Sequence, residues 1–137
     1  MKKEVSGQKL KYLLSVPEGN PDKNGWPLLL FLHGAGERGS DLEKVKVHGP
    51  PKLINKFPQL KNAIVISPQC PSGSWWIPST LMALVKEVVK SHDNKIDKNV
   101  YILTHHVYFD MVSNQFSPKF LLLFLYHIEY NLKVIHI

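Results

Sequence analysis

Three short, largely apolar runs, at residues 27–33, 62–67 and 99–104, constrain the fold more than any other feature of the sequence. Such runs, without polar alternation, are typical of strands buried on both faces of a parallel sheet. Helical patterns separate the runs, and strands that alternate with helices build α/β folds. We therefore expect an α/β fold with a mostly parallel sheet and flanking helices, in which the three runs are adjacent strands.

The clearest helix is predicted from Pro78 to about Ser91. Proline is favoured at the first helical position, and apolar residues then recur along one face of the helix. That face comprises Leu81, Leu84, Val85, Val88 and Val89. The pattern predicts a helix that covers the sheet.

Two further elements are predicted in the N-terminal part of the chain. Residues 9–17 are strand-like and lead through a turn rich in Pro, Gly and Asn into the first apolar run, which predicts a hairpin-like start. Ser40 and Asp41 can cap a short helix that runs to about Val47. The Gly-Pro-Pro sequence at 49–51 is expected to stop that helix.

The first apolar run ends in His33 and continues into a loop of small residues, Gly34, Ala35 and Gly36. Residues without large side chains let backbone N–H groups converge on one point, and converging donors form an oxyanion hole. Glu37 and Arg38 would fix such a loop. The alternative is a tight turn between strand and helix that carries no chemistry, and the local sequence alone leaves both open.

Four segments together resemble a family of α/β-hydrolase-fold esterases, the predicted peptidases and phospholipase/carboxylesterase-like enzymes related to dienelactone hydrolase and polyhydroxybutyrate depolymerase. They are FLHGAGERGSDLE at 31–43, HGPPKLI at 48–54, IVISPQCPSGSWW at 64–76 and DKNVYILT at 97–104. The resemblance covers about residues 9–104, the N-terminal half of the catalytic domain. It implies hydrolysis of a carboxylic ester by a Ser-His-Asp triad, with the small-residue loop as the oxyanion hole.

The same resemblance implies a substrate cleft beside this loop, and a small ester or acid as the ligand. The candidate cleft residues are His33, Glu37, Arg38, Gln69, Trp75 and Trp76. For the two tryptophans, packing beneath the loops of the site is an equally good alternative.

The nucleophile elbow of that family, G-x-S-x-G, is absent after the third strand, where the chain reads HHVYFD at 105–110. Ser113 or Ser117, Glu129 and His136 do occur in the order of a triad. The short stretch from Glu129 to His136 leaves no length for the strands and helices that bring such groups together. We therefore expect no catalytic residue in this chain.

The composition also changes after Thr104, since residues 105–137 contain no glycine and few charges. This divides the chain into residues 1–104, half of an α/β-hydrolase domain, and residues 105–137, a divergent apolar tail. We interpret the chain as a truncated and inactive member of a serine esterase family, a partial α/β-hydrolase fold whose C-terminal half is missing. The alternative is a non-catalytic binding module that keeps the oxyanion loop and the cleft.

Neither a thiol nucleophile nor a metal site is predicted. Cys70 lies in the loop after the second strand and precedes a proline, whereas the catalytic cysteine of the related hydrolases occupies the elbow. His105 and His106 would point to opposite faces of a strand, and no other ligand residues stand at the required spacing. We expect no metal and no cofactor.

The net charge of +6 comes from sixteen lysines and one arginine scattered among acidic residues, so nucleic acid is not an expected partner. No apolar segment reaches the roughly 18–20 residues that cross a bilayer, and no signal peptide is recognisable. Together with the single cysteine, this favours the cytoplasm. Without further strands beside it, the strand at 99–104 would leave an open sheet edge, which predicts self-association.

Overall fold

The computed structural model describes residues 2–4 and 10–105, and these residues form an α/β fold. Their five strands make one mixed sheet in the order β1-β2-β4-β3-β5. The strands are β1 (Lys2–Glu4), β2 (Lys11–Ser15), β3 (Trp26–Leu32), β4 (Ile64–Pro68) and β5 (Ile96–His105). The helices are a first 3-10 helix (Ala35–Glu37), a second 3-10 helix (Leu42–Val47), α1 (Gly49–Leu53), α2 (Pro58–Lys61) and α3 (Pro78–Ser91).

The three predicted strands lie side by side in this sheet and run parallel, which confirms the expected arrangement. β3 is the middle strand, and its Leu29 pairs with Val65 of β4 on one side and with Ile102 of β5 on the other. β5 begins at Ile96, three residues earlier than the apolar run that predicted it. The ladder between β3 and β5 shifts register around Pro27, since proline has no N–H to donate to it.

The predicted hairpin-like start is wrong. β2 runs antiparallel to β4, with Leu13 opposite Ser67, and does not pair with β3. The long turn between β2 and β3 carries the chain past β4, which occupies the position beside β3. β4 is therefore flanked on both sides, and every residue of it is buried.

Helices cover both faces of the sheet, as the continuous apolar strands require. The predicted helix is present with the predicted bounds, Pro78–Ser91. Its Leu81, Leu84, Val85 and Val88 pack with Leu28, Leu30, Ile64 and Ile66 of the central strands. Alternate residues of the same strands, Leu29 and Val65, point to the other face and pack with Leu60 of α2.

Asp41 caps the second 3-10 helix, as predicted, because its side-chain oxygen accepts a hydrogen bond of 2.9 Å from the amide of Glu43. The helix ends at Val47, before the Gly-Pro-Pro sequence that was expected to stop it, but these three residues are not themselves irregular. The residues at 49–51 begin α1 instead, with proline in its first turn. Proline there loses no helical hydrogen bond, because the first amides of a helix have no partner within it.

β5 lies at the end of the sheet order among residues 2–4 and 10–105. Residues 106–137, which hold most of the predicted divergent tail, lie outside the described residues, so the domain boundary and self-association stay predictions. Within the part of the chain that the structure describes, none of the helices has the length and apolar character to span a membrane.

Gly49 should be one of the least replaceable residues of the fold. Its φ is +63°, and a Cβ there would lie 2.5 Å from two ring carbons of the buried Phe31. Gly19 has a similar φ of +78°, but a Cβ there would meet nothing within 4 Å. We expect Gly19→Ala to lower the free energy of unfolding by about 1 kcal/mol, through backbone strain alone. Gly49→Ala should lose about 1–3 kcal/mol more, because the ring must move.

Urea denaturation of the two alanine variants measures this difference, with Gly19→Ala as the matched control. Equal losses would contradict the close packing of Gly49 against Phe31.

Candidate functional site

The candidate site lies where β3 and β4 end. Parallel strands present their carboxyl ends at one edge of a sheet, and in α/β folds ligands bind at that edge. The loop after β3 carries His33, Gly34, Ala35, Gly36, Glu37 and Arg38, and the loop after β4 carries Gln69, Trp75 and Trp76. The structure thus brings the two groups of predicted residues to the same edge. Gly39 of the first loop donates a backbone hydrogen bond of 2.9 Å to the carbonyl of Cys70 in the second.

The buried side chain of His33 connects the two loops by hydrogen bonds. The amide of Cys70 donates a hydrogen bond of 2.9 Å to His33 Nε2, so this nitrogen acts as an acceptor and carries no proton. The ring proton is therefore assigned to Nδ1, which donates to the carbonyl of Gly34 at 2.7 Å. His33 is only 1% exposed, and both ring nitrogens are occupied within the protein. In this arrangement His33 positions the loops and has no lone pair available for a ligand.

Trp76 packs on this histidine. Its ring meets the His33 ring edge to face at a centroid distance of 4.8 Å, and its Nε1 donates a hydrogen bond of 3.3 Å to the His33 carbonyl. Trp76 is half-buried, while its neighbour Trp75 is 72% exposed. The two tryptophans are therefore not equivalent: Trp76 packs beneath the loops, and Trp75 stands at the surface of the site.

The small-residue loop forms the first 3-10 helix, and this places two backbone donors at the surface. The amides of Ala35 and Gly36 open the helix, where no carbonyl of the same helix can accept from them. Among the described residues, neither amide donates one of the backbone hydrogen bonds. Both residues are exposed, and a Cβ at Gly36 would meet nothing within 4 Å. Two adjacent amides of exposed residues are thus without a backbone acceptor among the described residues.

Two side chains hold this loop in place. Glu37 Oε1 lies 3.4 Å from His48 Nε2, which ties the loop to the residue before α1. Gln69 reaches across from the second loop and donates a hydrogen bond of 2.8 Å from Nε2 to the carbonyl of Asp41. Glu37 Oε2 and Gln69 Oε1 are both buried without a hydrogen-bond partner among the described residues. These buried polar contacts anchor the loop, while Ala35 and Gly36 remain exposed.

Arg38 and Cys70 lie where the two loops meet. The Arg38 guanidinium lies 3.9 Å from the centroid of the Trp75 ring, and its charge acts on the Cys70 thiol, whose pKa burial raises and this charge acts to lower. The Cys70 sulfur also lies 3.5 Å from the carbonyl of Ser74. Cys70 is buried and free, and its environment is that of a packed thiol rather than an exposed nucleophile.

Sequence reasoning missed the partners that hold these residues. They are the Cys70 amide, the Asp41 carbonyl and the His48 ring. Backbone groups carry no sequence signal of their own, so the first two could not have been found. His48 begins the second resembling segment, at 48–54, which was the one available signal. Among the described residues no cluster of His, Cys, Asp or Glu could hold a metal ion.

Replacing His33 by alanine should destabilise the protein strongly. The variant would leave the buried amide of Cys70 and the carbonyl of Gly34 without their partner, and a buried unpaired donor alone costs about 1–3 kcal/mol. We expect a loss of at least about 2 kcal/mol in the free energy of unfolding, measured by urea denaturation. His92→Ala is the control, because that half-buried histidine makes one bond, to the Val88 carbonyl, and should cost about 1 kcal/mol. A smaller loss for His33→Ala than for His92→Ala would refute the bridging role.

The Cys70 thiol should make stability fall at alkaline pH. Burial raises the pKa of this thiol, and the Arg38 guanidinium opposes the rise without cancelling it. A pKa that is higher in the folded state stabilises the fold below the unfolded value, about 8.5 for a thiol, and this contribution is lost as the pH rises through the folded value. Burial, and then the charge of Glu87, also raise the pKa of the Tyr12 hydroxyl, which acts in the same direction at higher pH.

The difference between the wild type and Cys70→Ala isolates the thiol from Tyr12. Chemical denaturation between about pH 7 and 10 should show a steeper decline for the wild type. Parallel declines of the two proteins would contradict the prediction.

Comparison with solved structures finds a thermostable esterase, known from its crystal structure, with a TM-score of 0.52 and 28% sequence identity. The match covers 77% of this chain and 32% of that chain, so this chain spans about a third of the length of the esterase. No family model and no curated protein matches the sequence. The described residues therefore have an esterase-like, partial α/β-hydrolase fold, with the candidate site at the carboxyl edge of its sheet.

Proposed function

We propose that this chain supplies the carbonyl-binding side of a serine carboxylic-ester hydrolase site. The observation that carries the proposal is the pair of adjacent amides at Ala35 and Gly36, which belong to exposed residues and have no backbone acceptor among the described residues. During ester hydrolysis the carbonyl oxygen becomes an oxyanion, and preorganised N–H donors stabilise that charge as it develops. The esterase-like fold and the anchoring of the loop by Glu37 and Gln69 support the same role.

The nucleophile is the part of the chemistry that the sequence does not contain. β5 runs parallel to β3, so its carboxyl end opens at the same edge as the loop. A nucleophile elbow directly after β5 would thus face the amides of Ala35 and Gly36. No G-x-S-x-G occurs in the 137 residues. We infer that these residues bind an ester or acid carbonyl but do not turn it over by themselves.

The second candidate is a binding module that retains the loop for a small ester or acid without any catalytic role. The combination of a well-anchored loop with the absent elbow favours it. The two candidates differ in what happens when a nucleophile is provided at the end of β5. The single free cysteine agrees with a reducing compartment such as the cytoplasm for either candidate.

The activity prediction has two steps. The purified chain should hydrolyse p-nitrophenyl butyrate no faster than its Cys70→Ala and Ser113→Ala variants. A chimera that joins residues 1–104 to the remaining part of the thermostable esterase, including its elbow, should hydrolyse the ester. In this chimera Ala35→Pro should lower kcat by about 10²- to 10³-fold, because it deletes one oxyanion donor.

Ala35→Pro is a mild change for the fold. Proline suits the first position of a helix, and Gly34 before it has φ −78° and ψ −179°, the extended conformation that a residue before proline adopts. Ala35→Ser keeps the amide and is the control, with kcat unchanged. Saturable turnover by the original chain, abolished by Ser113→Ala, would contradict the first step. A folded chimera without activity would favour the binding module.

A further inference from the structure

Arg38 is the one arginine of the sequence, and it stands at the candidate site. Its guanidinium stacks on the ring of Trp75, 3.9 Å from the centroid, and that ring is 72% exposed. The amide of Arg38 bonds to the carbonyl of Ala35, so the residue lies one turn of the 3-10 helix from the amides of Ala35 and Gly36. The backbone of Arg38 therefore lies next to the proposed carbonyl-binding position, and its guanidinium packs over Trp75.

The Trp75 ring lies against the guanidinium and offers it no hydrogen-bond acceptor, so this contact leaves the N–H donors of Arg38 available for a ligand. All five N–H groups of arginine lie in the plane of the group, so a ring against its face occupies none of them. The positive charge of Arg38 also acts on the Cys70 thiol, whose pKa burial raises and this charge acts to lower. A thiol sulfur is a weak hydrogen-bond acceptor, so its presence nearby does not satisfy the five N–H donors of the arginine.

The protein provides no anion for this cation among the residues described. Of the carboxylates near Arg38 in sequence, Glu43 pairs with Lys46 and Glu37 with His48. Glu37, the carboxylate next to Arg38 in sequence, is thus directed to His48. Arg38 is half-buried, its guanidinium packs over a ring, and its charge forms no ion pair with a carboxylate among the described residues.

We propose that Arg38 binds a carboxylate of the substrate, so that the site selects half-esters of dicarboxylic acids over neutral esters. This inference rests on the proposed function, since the ester carbonyl of the same molecule would lie against the amides of Ala35 and Gly36. The planar fork of arginine matches a carboxylate with two parallel hydrogen bonds. Trp75 acts as a positioning residue, because its ring holds the fork in one plane and so reduces the entropy lost on binding.

The test measures the dissociation constants of two probes with the full chain by isothermal titration calorimetry. Monomethyl glutarate carries a free carboxylate, and dimethyl glutarate is its neutral counterpart. We expect the wild type to bind the half-ester about 10-fold or more tightly than the diester at low salt. Arg38→Met should remove this preference, because it weakens the binding of the half-ester far more than that of the diester. Arg38→Lys keeps the charge but loses the fork, so it should retain only part of the preference.

Lys44→Met is the matched control, because it removes one positive charge from an exposed residue of the neighbouring helix and should leave the preference intact. Trp75→Phe should keep more of the preference than Trp75→Ala, since only phenylalanine keeps a ring beneath the guanidinium. If Arg38→Met does not fold, Arg38→Lys and the two Trp75 variants carry the test.

The outcomes separate this inference from the proposed function. Binding of both probes with equal affinity by the wild type would overturn the role of Arg38 and leave the carbonyl-binding loop standing. A loss of preference in Lys44→Met equal to that in the Arg38 variants would also overturn it, because general charge would then explain the effect. Failure of the wild type to bind either probe would overturn the proposed function itself.

Discussion

The bridge formed by His33 is the interaction on which the candidate site depends. One imidazole accepts from the Cys70 amide and donates to the Gly34 carbonyl, and so connects the ends of two neighbouring parallel strands. Both bonds are buried or partly buried, where a hydrogen bond is stronger and an unpaired group is costly. A single tautomer satisfies all three groups. The loop after β3 therefore has one favoured position relative to the loop after β4.

That position gives the site its inner and outer sides. On the inner side, Glu37 and Gln69 contact His48 and the Asp41 carbonyl, and Trp76 packs on the His33 ring. On the outer side lie the exposed residues Ala35 and Gly36, which begin a short 3-10 helix. Stabilisation of a developing oxyanion requires donors that do not reorganise during the reaction. The proposed oxyanion role depends on this requirement, and the contacts of Glu37 and Gln69 support it because they restrain the loop.

The sheet explains why so small a part of an esterase-like fold can hold such a loop. β3 lies between β4 and β5, and helices cover both of its faces, so the strand that carries the loop is buried almost along its length. Gly49 lets α1 approach the ring of Phe31 directly beneath this edge. The loop thus extends from the most constrained strand of the described residues. The position of the loop therefore depends on the packing of Gly49 against Phe31, several residues away from its tip.

Much of the fold is a local property of the sequence. The apolar runs predicted β3, β4 and β5 and their parallel arrangement, the spacing of apolar residues predicted α3 at its observed bounds, and Asp41 was recognisable as a cap. These features follow from the periodicity and conformational preferences of neighbouring residues, which a single sequence displays. The position of Ala35 and Gly36 after a buried strand was visible in the same way.

The tertiary structure alone decided which distant groups meet. β2 pairs with β4 rather than with the strand that follows it, and the prolines at 50 and 51 begin a new helix after the expected end of the one before. His33 meets an amide 37 residues away, and Arg38 stacks on Trp75 in another loop. Such contacts depend on how whole strands are ordered in the sheet. The sequence therefore determined that this edge carries small and polar residues, and folding decided that the histidine holds the two loops together and that the arginine packs against a tryptophan of the other loop.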